Sequence, residues 1–209
     1  MTRSEVRVPH RPPLRGVFNF FAVGTYVVFF CCLAAGAYVV FFCFRSLYYR
    51  YMHEHYFEEA GKTASHATCN RAHCGAVVVA SGGEVIGRGY NAPPQGDESQ
   101  RMCDVELDKS IKQNNDKTCC VHAEWNAIID ALKHHGTKTE GSTLYFMRVN
   151  DKNEFTEAGD PYCTVCSRLA MESGITTFGL WNEGPEMIEV GEYNKRSYNY
   201  FLPKQKSPA

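Results

Sequence analysis

Four side chains have the types and the spacing of a catalytic metal centre: His122 with Glu124 two residues on, and Cys163 with Cys166 three residues on. A His-Cys-Cys set leaves the fourth tetrahedral position of a zinc ion open, and zinc brings the pKa of water there to about 7. Glu124 lies close to a ligand without being one, so it is the candidate to carry protons to and from a reacting group. A Cys-x-x-Cys pair with a distant histidine is by itself the pattern of a structural zinc site. Glu124 tips the reading toward catalysis, because a structural site has no use for a proton shuttle. Both pairs open an apolar-periodic stretch, and a helix N-terminus carries about half a positive charge, which favours thiolate over thiol.

Several elements must position these groups. The runs Gly75–Ser81 and Glu84–Tyr90 are rich in β-branched residues and meet at Gly82-Gly83, so a hairpin is expected. The polar stretch Asn91–Thr118 reads as a loop long enough to be functional or stapled. Ala123, Ala127, Ile128, Ala131 and Leu132 have helical spacing over His122–His134, and Gly136 ends that helix. A strand over Ser142–Arg148, a polar loop to Pro161, a helix over Cys163–Glu172 stopped by Gly174, and a strand over Ile175–Trp181 follow. Hairpin, helix, strand, helix, strand predicts a three-layer α/β/α domain with a mixed sheet whose later strands are parallel. Tyr193–Phe201 combines four aromatics with Lys195 and Arg196 and is either a helix packed on the sheet or a nucleotide-stacking segment.

His-x-Glu followed by Pro-Cys-x-x-Cys is the signature of the zinc nucleobase deaminases. Here the second half reads Pro161-Tyr162-Cys163-Thr164-Val165-Cys166, so Tyr162 is an insertion that alters the local turn and keeps the ligand spacing. Cys69-Asn70-Arg71, Gly75-Ala76-Val77-Val78-Val79, Gly89-Tyr90-Asn91-Ala92-Pro93-Pro94 and His122-Ala123-Glu124-Trp125-Asn126-Ala127-Ile128 extend the likeness. In order and approximate spacing the chain resembles the cytidine and deoxycytidylate deaminase superfamily, and within it the deoxycytidylate (dCMP) deaminase branch, from about His66 to Trp181. The resemblance implies the α/β/α fold, bound Zn2+ and hydrolysis of a cytosine amino group with release of ammonia. It implies His122, Cys163 and Cys166 as zinc ligands, Glu124 as the catalytic acid and base, and a homo-oligomer. It also implies that Asn91 bonds the sugar hydroxyl and that the Ala123 backbone N–H bonds the pyrimidine O2. The 15 residues between Phe146 and Tyr162 depart from the family pattern, in which the strand leads more directly to the cysteines.

Composition narrows the partners. With 22 Lys and Arg against 23 Asp and Glu, the net charge of −1 gives no electrostatic reason to expect a polyanion. A free nucleotide or nucleoside is therefore favoured over nucleic acid as substrate. Two rival readings remain: a nucleic-acid deaminase of the tRNA adenosine type, and a non-catalytic, membrane-anchored zinc scaffold. Among the ten cysteines, Cys69, Cys74, Cys103, Cys119 and Cys120 are either buried or free thiols, or supply a second zinc that staples the long loop, with Cys103 and Cys119 the leading candidates.

The N-terminus differs from the rest. After a basic tail, 1–16, residues 17–44 carry no charged side chain, and these 28 residues exceed the roughly 20 that span a bilayer. A single transmembrane helix is expected over 17–44, with an oligomerisation or core helix as the alternative. A connecting helix over 45–66, the deaminase domain over 67–203 and a tail over 204–209 complete the expected organisation. Arg3, Arg7, Arg11 and Arg15 before the apolar run favour a cytoplasmic N-terminus and an exported domain. A nucleotide substrate argues the other way, so a membrane protein with its catalytic domain facing the cytoplasm is the expectation.

Overall fold

The computed structural model describes side chains over residues 51–103 and 119–199, together with the backbone of 22–23, 26–27 and 37–50. The chain divides into two units, Met1–Tyr49 and Arg50–Ala209. In the first, Ala22–Val23 pairs antiparallel with Tyr26–Val27. Helix α1 spans Ala37–Ala64 and takes in most of the expected connecting helix. Of 17–44, where a transmembrane helix is expected, the described residues are that strand pair and the start of α1 from Ala37, and the remainder lies outside the described residues. Valine and tyrosine serve a strand as readily as a helix, and an apolar run without periodicity does not distinguish the two. Among the described residues no helix is long and apolar enough to cross a membrane.

The second unit is built on a mixed sheet. Its strands are β1 (His73–Val79), β2 (Val85–Tyr90), β3 (Thr143–Val149), β4 (Phe155–Thr156), β5 (Thr177–Trp181) and β6 (Pro185–Glu189). The order across the sheet is β2-β1-β3-β5-β6, with β4 pairing the end of β3. β3 and β5 run parallel, as the crossover through the helix that follows Cys163 requires, and every other pairing is antiparallel. Three further helices are α2 (Ala123–His135), α3 (Thr164–Glu172) and α4 (Val190–Asn199). The expected hairpin is present, with Gly83 at φ 87° closing the turn as the Gly83 N–H donates to the Ala80 carbonyl.

Strand alternation sorts the core into two halves. Ala76, Val78, Leu144, Phe178 and Leu180 face α2, α3 and α4, with Ala127, Ile128, Ala131, Ala170 and Tyr193 across from them. Val77, Val79, Tyr145, Met147 and Val149 face the opposite way, onto Tyr56, Phe57, Ala60 and Ala64 of α1. This is the expected three-layer α/β/α arrangement, with 50–64 as the outer layer on one side. β6 and the short β4 were not expected: Pro185 opens β6 on an edge, where proline is tolerated, and β4 is only two residues long. The long loop after β2 begins with two single 3₁₀ turns, Pro94–Gly96 and Glu98–Gln100, before reaching residues outside the described set.

One close approach sets the position of α2. A Cβ on Gly89 would overlap the Ala127 nitrogen and the Ala123 carbonyl, and one on Gly87 would overlap the Ala127 carbonyl and Ala131. The helix backbone thus lies directly on β2, and any side chain there would lift the first turn of α2. Gly89→Ala is expected to lower stability by about 1–3 kcal/mol in urea unfolding, since backbone cannot move aside as a side chain can. Gly82→Ala, whose Cβ meets nothing within 4 Å, is the control and is expected to change stability by less than about 0.5 kcal/mol.

Candidate active site

The site forms where α2 and α3 begin. Leaving β2, the chain bridges Ala92 to Val121, with the Val121 N–H donating to the Ala92 carbonyl at 2.8 Å. That bridge sets His122 beside the end of the strand as the N-cap of α2. The Asn126 side chain fastens the same turn by donating to the Tyr90 carbonyl at 2.8 Å. Cys163 is the N-cap of α3, and its sulfur accepts the Cys166 N–H at 3.2 Å. Ahead of it, the segment that departs from the family pattern turns through Asn150–Glu154 into β4 and then ties to the end of β5. There the Ala158 N–H donates to the Trp181 carbonyl at 2.8 Å, and the Gly159 N–H to Asn182 Oδ1 at 2.9 Å. Tyr162 follows the fully buried Pro161, and its backbone N–H donates to the Tyr193 hydroxyl at 3.4 Å.

These two starts bring three donors together. His122 Nδ1 is 3.2 Å from the Cys166 sulfur and 3.5 Å from that of Cys163, and all three donor atoms lie within 4.8 Å of one another. Zn–S of about 2.3 Å and Zn–N of about 2.0 Å put a tetrahedral nitrogen and sulfur about 3.5 Å apart, so the set fits zinc with shifts of a few tenths of an ångström. Spacing alone did not show that Nδ1 is the imidazole nitrogen facing the sulfurs. The Cys163 thiol is held at about 5, chiefly by the hydrogen bond it shares with Cys166, then against burial by that with His122. Burial pushes Cys166 far up, and its bond to Cys163 adds to this, so without metal the first sulfur ionises and the second keeps its proton.

Glu124 sits in the first turn of α2, buried among these groups. Burial pushes its carboxyl above the ordinary range, the charge of His122 opposes this, and its side chain reaches the Cys166 sulfur. Glu124, His122 and Cys163 open on one cavity of about 580 Å³, whose wall includes Ala123, Asn91, Arg71, Arg148, Tyr162 and Tyr193, while Cys166 lies buried behind it. Ala123 is fully buried, and its amide is a first-turn donor of α2. Asn91 lines the cavity while its side chain accepts from the Cys74 N–H at 2.8 Å and donates to the Ala72 carbonyl at 2.7 Å. It therefore also clamps the start of β1. Tyr193 stacks on Phe178 at 4.1 Å, and Arg196 pairs with Glu186, which settles 190–199 as a helix packed on the sheet. Lys195 and Arg196 are not brought to the cavity wall.

The other five described cysteines, Cys69 among them, all line the cavity, and three of them gather. Cys74 lies on β1 in the cavity wall, where burial raises its thiol to about 11. Cys103, Cys119 and Cys120 gather within 4.8 Å, with Cys103 and Cys119 sulfurs 2.9 Å apart. Reading the sequence did not find Arg148 or a role for Arg71 at the cavity, and it offered Tyr193 only within a segment that either packs on the sheet or stacks a nucleotide. For Arg148 a signal existed, since strand parity puts it on the face of Leu144 and Phe146.

The His-Cys-Cys set carries an expected outcome. Cys166→Ala is expected to lower zinc affinity at this centre at least about 100-fold, read by metal analysis after dialysis against a competing chelator. Circular dichroism should show the fold retained.

No curated protein matches the chain by sequence. Among solved structures, dCMP deaminase from the cyanophage S-TIM5 in complex with dCMP and dUMP is 22% identical, with 61% of this chain and 78% of that one covered at a TM-score of 0.42. Cytidine deaminase from Burkholderia pseudomallei is 17% identical over 68% of this chain and 94% of that one, at a TM-score of 0.45. A diaminohydroxyphosphoribosylaminopyrimidine deaminase/5-amino-6-(5-phosphoribosylamino)uracil reductase from Thermotoga maritima is 24% identical over 62% of this chain and 29% of that one, at a TM-score of 0.37. The family model of the cytidine and deoxycytidylate deaminase zinc-binding region matches residues 50–180, well over half of the 209 in the chain. The protein therefore belongs to the cytidine and deoxycytidylate deaminase family, and is a zinc-dependent hydrolytic deaminase.

Proposed function

We propose that the chain deaminates a cytosine nucleotide, taking dCMP and water to dUMP and ammonia, with His122, Cys163 and Cys166 holding the zinc and Glu124 as the catalytic residue. The observation that carries this reading is the buried Glu124 carboxyl in the wall of a cavity that His122 and Cys163 also line, with the Cys166 sulfur gathered behind them. Zinc supplies, when bound, a Lewis acid that makes water nucleophilic near neutral pH. Glu124 moves protons from the attacking water to the ring N3 and then to the departing amine. Burial raises this carboxyl above its ordinary range, the direction that helps it hold a proton it passes on.

The walls account for recognition. The Ala123 amide, an uncommitted first-turn donor, is assigned to the pyrimidine O2. Asn91, already bound to Cys74 and Ala72 on one side, keeps a second amide hydrogen and a second lone pair for a sugar hydroxyl. Arg71 and Arg148, both exposed on the cavity wall, are suited to a 5′-phosphate, and this pair is the reason to favour nucleotide over nucleoside. A volume of about 580 Å³ lies in the range of small-molecule sites.

Ammonia release from dCMP, deoxycytidine, a cytosine oligonucleotide and a tRNA anticodon stem-loop carrying adenosine tests the reading, with dCMP expected to be fastest. Ammonia from the stem-loop alone would assign the chain to the nucleic-acid deaminases instead. Glu124→Gln is expected to cut kcat by about 10²–10⁴-fold with zinc retained. Arg71→Ala with Arg148→Ala is expected to raise KM for dCMP by about 10–100-fold and to leave that for deoxycytidine unchanged.

A further inference from the structure

We propose that Tyr193 of α4 is a further residue of the reaction, its buried hydroxyl donating a hydrogen bond to the C4 edge of the bound base as the amine leaves. The proposal rests on the cytosine-nucleotide reading above and adds a group from outside residues 50–180, the span that the family model matches. Tyr193 lines the cavity together with Glu124, His122 and Cys163, yet it is only 3% exposed. A polar group buried to that degree is costly unless its hydrogen bonds are made. The phenol oxygen accepts the Tyr162 N–H at 3.4 Å, so the residue inserted ahead of Cys163 takes up its acceptor side. Among the described residues its own proton meets no acceptor. One donor is therefore left on the cavity wall for a ligand.

The position of that donor is fixed from several directions. The ring stacks on Phe178 at 4.1 Å, and the Glu189 carboxylate accepts the Gly191 and Glu192 N–H groups at 3.0 and 2.9 Å, which caps the start of α4. Ser167 of α3 donates to the Asn194 side chain at 2.9 Å, next to Tyr193 along the helix. Burial drives the phenol upward, the charge of Glu124 adds to this, and those of Cys166 and Cys163 follow. The hydroxyl thus keeps its proton and stands where the charges of the reacting end act on it. In cytosine the C4 amine offers hydrogens, and its lone pair is delocalised into the ring. An acceptor appears at C4 only as water oxygen joins the carbon and the amine becomes a leaving group. A hydrogen bond made there strengthens along the reaction, so it acts on kcat rather than on KM. No proton leaves Tyr193; Glu124 carries the transfers.

Tyr193→Phe keeps the ring and removes only the hydroxyl. It is expected to lower kcat for dCMP about 10–100-fold. KM is expected to stay within about 3-fold of the wild type. Zinc content and the urea midpoint should match the wild type. An unchanged kcat, or a loss of kcat that follows a loss of zinc, would overturn the proposal, the second outcome leaving Tyr193 as a brace for Cys163. A wild type that leaves dCMP untouched and takes another member of the substrate panel fails the cytosine-nucleotide reading by itself, and the same comparison is then made on that substrate. Should Tyr193→Phe fail to fold, Tyr193→3-fluorotyrosine retains the hydroxyl and reports on it directly. Its fluorine resonance is expected to move when dUMP, or the product of the substrate actually taken, is added to the zinc-loaded protein. A resonance that stays in place at saturating product would sink the contact.

Discussion

Convergence of the His122 imidazole with the Cys163 and Cys166 sulfurs requires residues 41 positions apart to sit at the N-caps of two helices over the same end of one sheet. Little tolerance is available, because a shift of 1 Å in either helix breaks a tetrahedral set. The sheet supplies the rigidity. α2 is pressed onto β2 at Gly87 and Gly89, and the bridge from Ala92 to Val121 fixes its entry. α3 is held from three sides: by the crossover from β3 to β5, by the tie of the preceding loop to the end of β5, and by Ser167, which donates to the Asn194 side chain of α4 at 2.9 Å.

That placement also sets the electrostatics. Buried thiols and carboxyls resist ionisation, yet a zinc centre needs thiolates. The hydrogen bond shared with the Cys166 side chain, then those with His122 and the Cys166 N–H, offset the burial at the first sulfur. Cys74, a thiol on β1 in the same wall without such a set of donors, is driven upward. Neighbouring donors, not residue type, set Cys163 apart from Cys74.

The site was more legible than its walls. His122, Glu124, Cys163 and Cys166 carry a local pattern, since ligand spacing along one helical turn is written in consecutive residues. The hairpin, both cysteine-bearing or histidine-bearing helices and the parallel strand pair were equally visible, because apolar periodicity and glycine punctuation are local too. β6 was hidden by the absence of alternation in Pro185–Glu189, and the arrangement within 17–44 by an apolar run that has no period. Tyr193 reaches the cavity because α4 folds back over β5, a long-range event that no nearby residue announces.

By itself the sequence determined the chemistry on offer: a borderline-soft metal bound through one imidazole and two thiolates, a carboxyl beside it, and the helices that begin there. Only the tertiary structure decided that Nδ1 is the nitrogen facing the sulfurs, that Asn91 holds β1 as well as the wall, and that Arg71 and Arg148 meet in one cavity. It also decided which of the other cysteines gather and which stands apart. The physical reason is range. Helical turns, caps and ligand spacing are properties of a few neighbouring residues, whereas burial, ring orientation and the meeting of distant side chains depend on how strands and helices stack.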